Sequence, residues 1–384
     1  MAERLRAAFY RGGTSKAVVV NAADLPADRA LRDRIFLHVL GSPDPYGRQL
    51  DGMGGGLSSL SKVVIVAPSA RPDADVDYTF VQIAVTDPVA DYGSTCGNMS
   101  SCVGPFAVEE GMVRVAPDAR EAMVRIFNTN TSQIYHATFP VRDGRPEEQG
   151  DFAIAGVAGT GARVTLDFLS PGGAATGRLL PSGHALDRLE VPGIGGIDAS
   201  LIDAANPVVY VAASDLGLSA TELPQALDAD AALAERMEAI RRAGAVAMGM
   251  ARTTGEVLRS NPKVAIVAPP QDFEALNGTR VATESHDIAI RIVSVGNFHR
   301  AITLTGGLCS AVAAQIPGSL IARIAAPGDG VLRIGTPSGV LPVRAEVRNG
   351  PDGPEAISAG TFRTQRRLME GAVLYPSDFL EAIS

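Results

Sequence analysis

Apolar residues in this chain fall mostly into short runs bounded by Gly, Pro, Asp or Asn, a pattern that predicts many short strands and few helices. Residues 16–25 read as a Val-rich strand running into a turn, residues 61–68 as a second strand and residues 80–85 as a third. A run rich in Ala, Ser, Cys and Val follows from 98 to 111, and its small, evenly apolar side chains predict a helix buried on most sides. The same order returns later in the chain. Ser61-Lys62-Val63-Val64-Ile65-Val66-Ala67-Pro68 is echoed by Pro262-Lys263-Val264-Ala265-Ile266-Val267-Ala268-Pro269. Residues 207–216 echo 16–25, residues 287–292 stand more loosely for 80–85, and 307–315 form a second small-residue helix. One echo between Val-rich strands arises by chance; several in the same order predict an internal duplication. The competing reading is two unrelated α+β halves with ordinary strands.

Each half then reads as a curled, mostly antiparallel sheet around a central helix, an α+β fold class. The expected domains are residues 1–185 and 186–370, with the linker in the Gly/Pro-rich stretch around 182–196. The closing segment, 371–384, contains the strand-like Gly371-Ala372-Val373-Leu374-Tyr375 and is expected to return to the first domain's sheet. Two further helices are predicted. One covers 28–40; the other covers 219–244, where Leu223, Leu227, Leu233, Met237 and Ile240 recur at helical spacing behind a Ser219/Glu222 capping box.

Bulk properties narrow the function. The 384 residues carry a net charge of -8, no Trp and only 5% aromatics, which argues against binding a nucleic-acid backbone or stacking its bases. A small anionic substrate is still compatible, because a site answers to its local donors. No secretory signal or membrane span is apparent, and three cysteines make no disulfide framework, so a reducing cytoplasm is expected. Scattered histidines and the lack of Cys-x-x-Cys or His-x-x-x-His spacing predict no metal site. A homodimer is the base-rate expectation for assembly.

Four places carry candidate chemistry. In Gly93-Ser94-Thr95-Cys96-Gly97-Asn98, a thiol precedes the small-residue helix, where unpaired N–H groups favour a thiolate or hold a carboxylate. A buried, inert cysteine is the competing reading. In Asp51-Gly52-Met53-Gly54-Gly55-Gly56, glycines allow backbone amides to crowd an anion, although neither a Walker A loop nor a dinucleotide fingerprint is present. Lys62 opens an apolar strand; partial desolvation there would make it a usable base, whereas at a strand edge it would be an ordinary surface lysine. Arg11-Gly12-Gly13-Thr14-Ser15-Lys16 is a glycine turn with hydroxyls before a strand. Finally, His299-Arg300 leads to Thr303-Leu304-Thr305-Gly306-Gly307-Leu308-Cys309, another glycine step into a helix and a second possible anion-binding helix end.

Taken in order, Arg11-Gly12-Gly13-Thr14-Ser15-Lys16, Gly41-Ser42-Pro43-Asp44, Asp51-Gly52-Met53-Gly54-Gly55, Ser61-Lys62 and Cys96-Gly97-Asn98 resemble the 2-methylaconitate cis–trans isomerase family, which includes 4-oxalomesaconate tautomerase and methylitaconate isomerase-like proteins. The match runs along nearly the whole chain. The resemblance implies a diaminopimelate epimerase-like fold with the site in the cleft between two similar domains, and proton transfer without a cofactor. Diaminopimelate epimerase resembles this chain at Cys-Gly-Asn but uses two facing cysteines. Matching Cys102 to Cys309 makes Thr303 the counterpart of Cys96, so a second thiolate is missing and Lys62 becomes the partner of Cys96.

The expected function is cofactor-independent isomerisation of a small unsaturated di- or tricarboxylic acid. Lys62 and Cys96 are the catalytic candidates; Ser15, Gly54, Gly55, Gly97, Asn98, His299, Thr305, Gly306 and Gly307 are the substrate-binding candidates. The alternatives are an amino-acid racemase or epimerase on the same fold, and a non-catalytic carboxylic-acid-binding protein.

Overall fold

The computed structural model describes residues 2–93, 95–154, 156–257, 261–294, 296–325, 330–351 and 353–381. Ser94 of the Gly93–Asn98 run and residues 382–384 of the closing segment lie outside the described residues. Contacts divide the chain into two units: Met1–Asp167 together with Phe362–Ser384, and Phe168–Thr361. Among the described residues no helix is long and apolar enough to cross a membrane.

In the first unit, strand Ser15–Asn21 pairs antiparallel with Ala2–Gly12 and parallel with Lys62–Pro68. The latter pairs antiparallel with Val76–Ile83, which runs parallel to Glu121–Asn128; Gln133–Arg142 continues antiparallel. The last long strand, Gln365–Pro376, returns to pair with Ala2–Gly12 along its whole length. Strand alternation sorts the side chains by face. Val18, Val63, Ile65, Val81 and Ile83 pack on Leu31, Ile35, Phe36 and Val39 of helix Arg29–Leu40. Lys62, Val64 and Val66, with Tyr78, Phe80 and Gln82 on the neighbouring strand, fall on the opposite face. That face meets helix Ser100–Glu109, where Tyr78 reaches the carbonyl of Cys96 at the helix start. Every residue of this helix except Glu109 is buried, as its small-residue composition predicts.

The second unit repeats the plan. Strand Asn206–Ala212 runs parallel to Lys263–Ala268, which pairs antiparallel with Ile288–Ser294, and that strand runs parallel to Val331–Thr336. Helix Leu304–Ala314 is buried from Gly306 to Ala314 against Tyr210, Ala265, Val267 and Ile290, while Val209, Val264 and Ile266 face helix Ala231–Ala247. Even the register repeats: Val18 stands beside Val63 as Val209 stands beside Val264.

One predicted element differs. The helix expected over 219–244 is two helices, Pro224–Ala229 and Ala231–Ala247. Asp230 interrupts it, because its carboxylate accepts from the Leu233 N–H at 2.9 Å and starts a new helix as an N-cap. Glu222 does accept from the Ser219 N–H at 2.7 Å, but it closes a turn ahead of Pro224 rather than the first turn of a helix.

Candidate active site

Lys62 opens its strand on the face that meets helix Ser100–Glu109. It is only 6% exposed, so its amine has lost much of its water. Nζ donates to Gln82 Oε1 at 2.5 Å and lies 4.9 Å from the centre of the Phe80 ring. Burial pulls the amine below its ordinary pKa, and a negative charge on nearby Cys96 opposes that pull. A lysine held this way carries more of the neutral, proton-accepting form near neutrality than an exposed one.

Cys96 sits where the central helix begins. Its carbonyl accepts from the Ser100 N–H at 3.0 Å, the first helix-type bond, and its Sγ lies 4.0 Å from Ser15 Oγ. Ser15 is buried and Cys96 half-buried. The backbone N–H groups of Gly97, Asn98 and Met99 donate to no acceptor among the described residues, so the first turn leaves these donors unsatisfied, as an anion site requires. The glycine turn closes over this end. Gly13 has φ +51°, and a Cβ there would meet Asn98 Oδ1 at 2.3 Å, so only glycine fits. Asn98 Nδ2 donates to Thr14 Oγ1 at 3.1 Å.

Two further residues join this group that sequence reasoning missed. Gln82 stands directly opposite Lys62 in the strand register. Arg363 donates to Asn98 Oδ1 at 3.1 Å; burial pulls its guanidinium down to about 10, the Cys96 charge opposes this, and it stays cationic at neutral pH. The returning strand carries it there: Gly12 pairs with Gln365, and the Gly13 N–H donates to the Thr364 carbonyl at 2.9 Å. Nothing local marks either residue as functional, since Gln82 closes an ordinary strand and Arg363 lies 265 positions from Asn98.

The structure brings Lys62, Cys96, Ser15, Gly97 and Asn98 together in the first unit, whereas the Gly54 amide is taken up within the fold. The Gly54 N–H donates to the Leu40 carbonyl at 3.2 Å, and a Cβ on Gly54 would strike Gln49 Oε1 at 2.3 Å, while one on Gly55 would strike Leu60. Gln49 in turn bonds Ser42 and Ser61 and accepts from the Gly56 N–H at 3.0 Å. These glycines let the loop pack closely around a buried Gln49 beside Ser61, the residue preceding Lys62.

His299, Thr305, Gly306 and Gly307 belong to the second unit. Its central helix opens as the first unit's does, with the Thr303 carbonyl accepting from the Gly307 N–H at 2.9 Å, so Thr303 holds the position of Cys96. Thr303 Oγ1 also accepts from the Gly306 N–H at 3.1 Å, so the helix itself takes the Gly306 and Gly307 donors. Burial, reinforced by the charges of Lys263 and Arg300, pulls His299 below its ordinary pKa. Cys309 is buried, with Sγ 3.5 Å from the Ile202 carbonyl and its thiol pushed up to about 12. Burial likewise pushes Cys102 up. Of the three thiols, only Cys96 is open to a reactant. Among the described residues no group of His, Cys, Asp and Glu could hold a metal ion.

The chain is 40% identical over 378 residues to 3-methylitaconate isomerase of Eubacterium barkeri, covering 96% of this chain and 97% of that protein. It is 38% identical over 385 residues to 2-methyl-aconitate isomerase of Shewanella oneidensis, covering 97% of each. The crystal structure of methylitaconate-delta-isomerase superposes with a TM-score of 0.90 at 38% identity, over 99% of this chain and 97% of that one. The fold is thus that of methylitaconate-delta-isomerase. The model of the PrpF protein matches residues 2–376, and the chain belongs to the PrpF protein family.

Proposed function

We propose that this isomerase moves a proton on a small unsaturated di- or tricarboxylic acid without a cofactor, with Lys62 as base and Cys96 as the returning acid. The observation that carries the reading is a desolvated amine within charge reach of the one accessible thiol, at a helix start whose first N–H groups have no acceptor among the described residues. Lys62 takes a proton from the carbon next to the double bond, and the electron pair of that C–H bond spreads into a dienolate. Gly97 and Asn98 N–H groups and the Arg363 cation stabilise the developing charge, as an oxyanion hole does. The Cys96 thiol protonates the far end of the delocalised system, and the Lys62 ammonium returns a proton to the thiolate, restoring the site. Rotation before reprotonation gives a cis–trans product; reprotonation at a new carbon gives a shifted double bond or a tautomer.

The racemase alternative needs a second thiolate opposite the first. Thr303 stands at the Cys96 position of the second unit, and Cys309 is buried in that unit's core, which weighs against it.

The test is exchange from deuterated water. With 2-methylaconitate, 3-methylitaconate or 4-oxalomesaconate, deuterium is expected at the carbon that the Cys96 thiol reprotonates, and Lys62→Ala should block its uptake. Turnover of all three without exchange or a primary isotope effect would rule out the proton-transfer reading. Arg363→Met is expected to lower kcat/KM about 10–100-fold by removing a cation beside the developing charge, with partial recovery in Arg363→Lys; steady-state kinetics on the two variants checks this. A reducing cytoplasm is the compartment this reading favours, because the Cys96 thiol must stay reduced. A homodimer is its assembly on base rates, measurable by light scattering.

A further inference from the structure

Gln82 is the one side chain that hydrogen-bonds the Lys62 amine among the described contacts. The orientation of its amide is fixed independently of Lys62. Nε2 donates to the Ser61 carbonyl at 2.9 Å and the Ser58 carbonyl at 3.0 Å, and only the nitrogen end of an amide can satisfy two carbonyl oxygens. Oε1 must therefore face Nζ. Both carbonyls belong to the turn Ser58–Leu60 and the residue after it, which lead directly into the strand that Lys62 opens. The chain segment that delivers the lysine thus also aims the group that receives it.

We propose that Gln82 is a positioning residue for Lys62, fixing the direction of the amine through a neutral acceptor that adds no negative charge beside it. The inference rests on the reading of Lys62 as the base. A general base must present its lone pair to the substrate carbon, and an amine on four methylenes has many rotamers to lose. An amide oxygen accepts one amine N–H in either protonation state and leaves the nitrogen free to cycle. A carboxylate of the same shape would lock the amine as an ammonium. The groups facing Nζ are Gln82 and the Phe80 ring from strand Val76–Ile83 and Cys96 from the turn before the central helix, of which only Cys96 can carry charge. A neutral residue at 82 therefore leaves Cys96 as the only ionic control on the amine.

The test compares Gln82→Glu with Gln82→Met. In Gln82→Glu the acid limb of the kcat/KM profile should move up by about one to three pH units, with activity recovering at high pH. Reductive methylation of Lys62, followed by peptide mass spectrometry, should titrate at a correspondingly higher pH in the same protein. In Gln82→Met the limb should not rise, and kcat should fall about 10-fold with KM little changed, because only orientation is lost. An unmoved limb and unmoved methylation titration in Gln82→Glu would overturn the proposal. So would Gln82→Met raising KM at unchanged kcat, which would make Gln82 a substrate ligand instead. Should Gln82→Glu fail to fold, Gln82→Met decides alone by that kcat-against-KM split. Methylation reads the amine without turnover, so it separates loss of this inference from loss of the base assignment, which Lys62→Ala tests by itself.

Discussion

Lys62→Ala is expected to lower kcat by about three to four orders of magnitude while leaving substrate binding within a fewfold, since positioned general bases contribute up to about 10⁴-fold. At 1.36 kcal/mol per decade this is about 4–5 kcal/mol of the barrier. The expectation follows from placement. The amine is 6% exposed on the face of the sheet that meets the central helix, beside the one accessible thiol. Single-turnover kinetics with a separate binding titration checks it, and an unchanged kcat would remove Lys62 from the chemistry. Stability should move the other way. The folded-state pKa of Lys62 lies below the unfolded value of 10.5, so its favourable contribution is present above 10.5 and is lost as pH falls through the folded pKa. Near neutrality the buried amine is a burden, and Lys62→Met should raise Tm at pH 7 by an amount that shrinks as the pH approaches 10.5. Thermal unfolding across that range measures it; a Tm that falls equally at every pH would show that the amine stabilises the fold instead.

Cys96→Ala is expected to cost about two to three orders of magnitude in kcat, because the intermediate loses the acid that reprotonates it. A direction in pH accompanies this loss. Where Cys96 is ionised, its charge holds the Lys62 pKa up against burial, so removing the sulfur should shift the acid limb of the residual activity to lower pH. Lys62→Ala has no such limb left to shift. A pH–rate profile of Cys96→Ala therefore reports on the pair: a limb that moves down shows the two groups are coupled, and one that stays put shows they act apart. Cys96→Ala should still bind carboxylates, since the Gly97 and Asn98 N–H groups and Arg363 do not depend on the sulfur.

The placement of Lys62 and Cys96 was readable because each sits at a boundary with a physical signature: a charged residue at the head of a run of valines, and a thiol ahead of a helix of small residues. The repeat was readable because buried strands tolerate few residue types, and its two copies kept both spacing and register. The glycine loop misled because glycine signals close backbone approach without saying what approaches. At Gly54 it is Gln49 and the end of helix Arg29–Leu40 rather than a ligand. The Gly306-Gly307 step misled differently, since a hydroxyl just upstream had already capped the helix. Gln82 and Arg363 could not be read at all. The first depends on which residues two strands place opposite each other, the second on a strand returning from the far end of the chain.

That return has a consequence for biosynthesis. The first unit's sheet is translated early, but Ala2–Gly12 gains its second neighbour only when Gln365–Pro376 leaves the ribosome. Roughly 200 residues separate Asp167 from that strand; at 5–20 residues per second the delay is about 10–40 s. Through that interval the nascent chain carries an open strand edge, the kind of surface that recruits other chains. It also has Lys62 and Cys96 but not Arg363. A polypeptide stalled or clipped before Gln365–Pro376 is therefore damaged in a portion made long before.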